Sequence, residues 1–282
     1  MTGPEVFDRQ ARALRRDRAA RGQGEDILRQ AIAEDLIDRL AGVQRTFTDV
    51  LDLGCGDGSL GRALEAPGRR VTYADAGAVF ASRAGGVQAE EDRLPFDPGS
   101  FDLIVSANVL DQVNDLPGAL IQARRLLRPD GLFLAGFCAG GSAPRLREAF
   151  LAADMAEGRA VARIHPQIPL QAGADLLGRA GFAMPVADGF TLNLRYGSLF
   201  RLVEDLRAMA ATNLLPGRQA LSRRPLMAAV EAFVAQADPD GRVTERFEIA
   251  VLTGWAPAES QPKPARRGSA TVSLAEALKA KP

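Results

Sequence analysis

The stretch Asp49-Val-Leu-Asp-Leu-Gly-Cys-Gly-Asp-Gly58 restricts the fold more than any other segment: an apolar strand runs into three glycines at alternate positions, then into a helix expected at about residues 60–66. Gly54, Gly56 and Gly58 carry no Cβ, so the backbone there can turn sharply and lie close against a ligand. The helix that follows would aim its first free N–H groups at the same ligand. The spacing GxGxG departs from GxGxxG, the pyrophosphate fingerprint of nicotinamide and flavin enzymes. It suits a ligand with a carboxylate and an adenosine but no pyrophosphate, a description that S-adenosylmethionine and S-adenosylhomocysteine meet. A glycine-rich turn in some other α/β protein is the bland alternative.

The remaining pattern alternates strand and helix. After a helix at 25–40, strands are expected at 47–53, 70–74, 101–107 and 132–138, with a short one before Glu90 and a helix at 116–127 stopped by Arg128-Pro-Asp-Gly131. The unbroken run Leu103-Ile104-Val105 is that of a strand covered on both faces. Strands separated by helices argue a doubly wound, parallel, Rossmann-like sheet. Beyond Gly140-Gly141 the pattern loosens into helices at 145–156, 172–180, 199–210 and 226–235, two short strands at 184–186 and 190–194, and a last strand at 243–255. Three parts are expected: an Arg-rich helical segment or lid at 1–24, an α/β domain at 25–256 with a helical insertion around 140–240, and an extended tail at 257–282 with a short amphipathic end at 274–278.

Lys plus Arg and Asp plus Glu are 35 each, so no global field advertises a nucleic acid or an anionic membrane. There is no apolar run long enough for a membrane span and no secretory signal. The two cysteines, Cys55 and Cys138, read as small buried side chains in a reducing compartment, which predicts a cytoplasmic protein. His165 is the single histidine, so a multi-histidine metal site is impossible, and no metal is expected.

In a doubly wound sheet the ligand lies beyond the carboxyl ends of the strands. Asp52 can fix the glycine turn by accepting N–H bonds, or attract a ligand ammonium group. Asp75, ending the second strand, can bind both ribose hydroxyls or cap the helix starting near Gly77. Glu90 can take the adenine amino group, with Glu91 and Asp92 leaving that assignment open by one or two residues. Asn108 ends a strand and would line the pocket floor. Cys55 more readily packs than reacts. Asp111 is the best side chain near the transfer site for catalysis, against a plain loop role. His165 suits acid–base work or a structural loop contact. Trp255 reads as a sheet-packing residue. Arg9, Arg12 and Arg16 share one helix face and could clamp a carboxylate of cofactor or substrate, grip an acidic partner, or simply be solvated.

Asp52-Leu-Gly-Cys-Gly-Asp-Gly58, Asp75, Leu94-Pro-Phe96, Phe101-Asp-Leu-Ile-Val105 and Leu127-Arg-Pro-Asp-Gly131 resemble the class I S-adenosylmethionine-dependent methyltransferase fold, a seven-stranded sheet, over residues 25–190. The resemblance implies that Gly54 and Gly56 hold the methionine part, Asp75 the ribose and Glu90 the adenine. Phe7-Asp-Arg9, Arg15-Arg-Asp-Arg-Ala-Ala20, Val113-Asn-Asp-Leu-Pro117, Leu176-Leu-Gly-Arg-Ala-Gly-Phe182, Glu204-Asp-Leu-Arg207, Thr253-Gly-Trp255 and Glu259-Ser-Gln-Pro-Lys-Pro264 look like the respiratory complex I assembly factor family and its bacterial methyltransferase-like relatives. That implies either methyl transfer to a small acid or protein-bound group, hydroxylation of an arginine in a complex I subunit, or a non-catalytic assembly protein that binds the cofactor structurally. The chain departs from the family near the substrate mouth. Asp111-Gln112 stand for His-Trp, Ser142-Ala143-Pro144 for Asp-Thr-Leu, and Ala210-Ala211 for Gly-Glu.

Overall fold

The computed structural model describes residues 5–261; the amphipathic end expected at 274–278 and most of the tail lie outside them. A seven-stranded sheet carries the architecture, in the order β3-β2-β1-β4-β5-β7-β6. These are β1 (Asp49–Leu53), β2 (Arg70–Asp75), β3 (Val87–Gln88), β4 (Phe101–Ala107), β5 (Leu127–Cys138), β6 (Ala183–Tyr196) and β7 (Val243–Trp255). The pairs among β1 to β5 are parallel, while β7 runs antiparallel to both β5 and β6. The sheet is therefore mixed, its parallel half being the half that reads from sequence as doubly wound.

Successive residues of a strand face opposite sides of a sheet, and the core follows that rule. Val50, Leu103 and Val105 join Leu28, Ile32 and Leu36 of α2 (Ile27–Ala41) on one face. Leu51, Leu53 and Ile104 join Leu116, Leu120 and Ala123 of α5 (Leu116–Leu126) on the other. On β7, Phe247, Ile249 and Val251 belong to the first face and Ala250 and Leu252 to the second.

The strand order reverses between β1 and β4, which lie side by side with β2 and β5 beyond them. The short α3 (Ser59–Ala63) and α4 (Ala78–Arg83) follow β1 and β2. On the carboxyl side of the sheet sit α1 (Arg9–Arg21), the loops after β1, β2 and β4, and a layer made by α6 (Pro144–Glu157), α8 (Leu199–Ala208) and residues 211–221. Two further helices, α7 (Gln171–Arg179) and α9 (Arg223–Val234), pack against β6 and α6 respectively. The two short strands expected at 184–186 and 190–194 are one strand, β6, paired with β7 along nearly its whole length. Pro185 and Gly189 interrupt the residue pattern, but β6 is an edge strand, where a missing donor is tolerated.

Candidate functional site

The turn after β1 is built by left-handed backbone. Gly54, Gly56 and Gly58 have φ of 71°, 54° and 77°. At Gly54 a Cβ would lie 2.4 Å from Val109 Cγ2, so glycine is required there twice over. The Gly54 and Cys55 amides both donate to Ala74 O, at 2.8 and 2.9 Å, tying the turn to the end of β2. Asp52 is fully buried and accepts from the Gly61 amide at 3.0 Å, so it holds the start of α3 to β1. Burial pushes its carboxyl up to about 6, against the pull of Arg29. Cys55 is buried and its thiol is raised well above the ordinary value, chiefly by burial, so it packs as a small apolar side chain.

Arg29 is the main residue that the sequence reading missed. Its Nη1 donates to Gly54 O and Ala107 O, both at 2.7 Å, bridging the ends of β1 and β4. The signal was an arginine at the third position after Asp26 on an otherwise apolar helix face. Asp26 caps α2 through the Arg29 amide and accepts from Asn108 Nδ2 at 3.1 Å. Asn108 itself has φ of 59° and lines a cavity.

The acidic residues expected to meet an adenosine are held by α1. Arg16 donates Nε to Asp75 Oδ1 at 2.7 Å and its Nη2 to Oδ2, while the Gly56 and Gly77 amides donate to the same carboxylate at 2.8 and 2.7 Å. Burial pushes Asp75 up, yet the charge and hydrogen bonds of Arg16 outweigh it and keep the carboxyl below its usual range. Arg12 makes a two-pronged contact with Glu91 at 2.7 and 2.8 Å and reaches Glu90 at 2.9 Å. Arg9 pairs with Asp92 and reaches Glu90 at 3.3 Å. Burial raises Glu90, with Glu91 and Asp92 adding to it against Arg12 and Arg9. Arg9, Arg12 and Arg16 do share a face, and what they clamp is the protein's own carboxylates.

Next to this cluster a cavity of about 840 Å³ opens between α1, the end of β4, α6 and α8. Its floor includes Asn108, Asp111 and Gln112, and its walls include Leu146, Phe150 and Phe247. Burial raises the Asp111 carboxyl to about 6. His165 also lines the cavity, but its Nε2 accepts from the Leu214 amide at 2.8 Å and its ring meets Phe7 edge-on at 5.0 Å. Burial, helped by Arg15, pushes it down to about 4, so the imidazole is neutral and its lone pair is already used. Trp255 ends β7 and packs on the core. Among the described residues no cluster of three or more His, Cys, Asp or Glu could hold a metal ion, and no helix is long and apolar enough to cross a membrane.

S-adenosylmethionine can be tested against these residues directly. Three glycines in left-handed backbone give the close approach that its methionine end needs, and buried carboxylates end β2 and follow β3. The donor and acceptor chemistry fits; for a ribose to reach Asp75, Arg16 must give way.

A family model described as "Methyltransferase domain" matches residues 51–135. A human protein named arginine-hydroxylase NDUFAF5, mitochondrial, is 36% identical over 286 residues, covering 96% of this chain and 83% of its own length. A malonyl-[acyl-carrier protein] O-methyltransferase of Halorhodospira halophila is 31% identical, covering 81% of each chain. Among solved structures, a phosphoethanolamine N-methyltransferase of Haemonchus contortus in complex with S-adenosyl-L-methionine shares the fold, with TM-score 0.52 and 16% identity over 86% of this chain and 60% of that one. The site is that of an S-adenosylmethionine-binding protein of the methyltransferase fold. The expectation of a cytoplasmic protein does not stand, because the name of the human relative places it in mitochondria. Cysteine usage reports a reducing environment, and that does not single out the cytoplasm.

Proposed function

The chain belongs to the NDUFAF5 family of methyltransferase-fold proteins, and from that premise we propose that it is an enzyme modifying an arginine side chain of a protein substrate, a subunit of respiratory complex I. The observation that carries this reading is relatedness over 96% of the chain, which takes in α1 and the helical layer over the cavity as well as the cofactor turn. S-adenosylmethionine supplies, when bound, a methyl group already activated on a sulfonium, which methyl transfer would use and oxygen insertion would leave on the sulfur. Gly54, Gly56 and Gly58 would hold its methionine end, Asp75 the ribose, and Glu90 or Glu91 the adenine. Asp52 and Arg29 act on the turn, fixing it between β1, β4 and α3. α1 covers these carboxylates and competes for Asp75. A side chain inserted into the cavity would lie along Leu146, Phe150 and Phe247 with Asn108, at the end of β4, on the floor.

A second reading, methyl transfer to a carrier-bound acid, draws on the O-methyltransferase relative. Intact-mass measurement of a purified complex I subunit, incubated with the protein with and without S-adenosylmethionine, and with and without oxygen together with a two-electron reductant, separates the two. Gain of one oxygen atom on an arginine, dependent on dioxygen and on an added two-electron reductant that takes the second oxygen atom to water, is the expected result. Gain of a CH2 unit with release of S-adenosylhomocysteine would favour the second reading. An unmodified subunit that still binds in a pull-down would mean a non-catalytic assembly protein.

A further inference from the structure

A 3₁₀ turn at Leu110–Gln112, whose Asp111 and Gln112 line the cavity, carries two side-chain oxygen atoms without a hydrogen-bond partner, both closed off from solvent. Asp111 Oδ1 and Gln112 Oε1 are both buried and have no hydrogen-bond partner, and Gln112 is only 3% exposed as a residue. A buried acceptor left unpaired costs about 1–3 kcal/mol, and two on adjacent residues that line a cavity call for an explanation. Both need a donor. Because Asp111 is a carboxylate, a donor that also carries positive charge satisfies it best.

The cations near this floor are occupied elsewhere. Arg12 is committed to Glu91 and Glu90. Arg15 donates to Thr212 O and Asn213 O, Arg163 to Asp154 and Glu157, and Arg218 to Asp8. Burial and the nearby negative charge of Asp26 disfavour ionised Asp111, and outweigh its own backbone amide, the charge of Arg12 and the Gln112 side chain, so a further cation would be taken up favourably. Leu146, Phe150 and Phe247 offer apolar wall to an aliphatic stem. Arg18 and Arg207, exposed on the same cavity, carry no ion pair among the described residues and suit acidic residues flanking an inserted side chain.

We propose that Asp111 and Gln112 are the specificity-determining pair of this cavity, accepting from the guanidinium of a substrate arginine whose stem lies along the apolar wall. A planar guanidinium presents several N–H donors in a fixed fork; an ammonium is a point donor and a neutral urea lacks the charge. The assignment rests on the arginine-modifying reading above and sharpens it to two residues.

Calorimetry on the full chain saturated with S-adenosylhomocysteine tests this, with N-acetyl-arginine amide and N-acetyl-citrulline amide as probes. The arginine probe should bind about tenfold or more tightly than its neutral isostere. Asp111→Asn should abolish that preference, and Gln112→Leu should weaken the arginine probe several-fold, with affinity for S-adenosylhomocysteine unchanged in both. Equal binding of the two probes to the unaltered protein would overturn the proposal, as would a preference that survives both substitutions, the two oxygens then meeting only water. Loss of S-adenosylhomocysteine affinity in Asp111→Asn with arginine binding intact would also overturn it, handing the pair to the cofactor. A cooperative thermal transition in each variant checks folding, and Gln112→Leu carries the test if Asp111→Asn lacks one. Guanidinium preference without arginine modification in the mass assay would leave the subsite standing and the reaction reading refuted; modification without the preference would do the reverse.

Discussion

At the scale of single residues, the site joins groups that declare themselves in sequence to groups that do not. Gly54, Gly56, Gly58, Asp52 and Asp75 are legible because each does a job at a fixed distance from a strand end, and backbone geometry allows few residue types there. Arg29 and Gln112 are not, since an arginine on an apolar helix face and a glutamine in a loop acquire meaning only from what folds against them. Asp111 shows the cost of such a position. Its carboxyl titrates near 6 against 3.8 unfolded, so its contribution to stability is full below pH 4 and is lost as pH rises through 6. At about 1.36 kcal/mol per pH unit the loss is about 3 kcal/mol as an upper bound. Asp111→Asn should therefore flatten the fall in stability between pH 4 and 6, read by urea unfolding at both pH values. An unaltered slope would show that other carboxylates set it. Gly54→Ala carries both a strained φ and a clash with Val109, and is expected to cost about 2–5 kcal/mol, read as a lowered urea midpoint.

Among elements, α1 is held differently from the rest. Its buried residues include Arg12 and Arg16 but no large aliphatic side chain, and its anchors are carboxylates on β2 and after β3. Glu91 is 0% exposed, so Arg12→Ala would leave a buried charge without its partner. The expected cost is about 3–5 kcal/mol. Arg12→Leu combined with Glu91→Leu should recover most of it, and a double variant as weak as Arg12→Ala would show that the loss was packing. Arg16→Ala removes the competitor for Asp75, so S-adenosylhomocysteine should bind several-fold more tightly by calorimetry. Weaker binding would make Arg16 part of the ligand's own contacts. The charged spacing at Arg9, Arg12 and Arg16 revealed the shared face, while their targets, 59 or more positions away, could not be read from periodicity. β6 was hidden for a different reason: Pro185 and Gly189 break its pattern locally, and only its pairing with β7 shows that one strand runs through both.

Across the whole molecule, two apolar layers pack on one continuous sheet, so the parallel half and the β6–β7 wing should unfold together. Circular dichroism and the fluorescence of Trp255, the only tryptophan, should give coincident thermal transitions, and both should shift upward together with S-adenosylhomocysteine. At a hundredfold excess over Kd the gain is about 2.7 kcal/mol. Separate transitions would mark the wing as an independent unit. The sheet's parallel half was legible because unbroken apolar runs need cover on both faces; the reversal of β7 was not, since an antiparallel partner leaves no signature in a buried strand's composition. The ion pairs between α1 and residues 75–92 also leave a trace in inheritance. Neither member of the Arg12–Glu91 pair can drift alone without stranding a charge in the interior. Among descendants of one ancestral gene, replacements at these two positions should therefore arrive together or not at all.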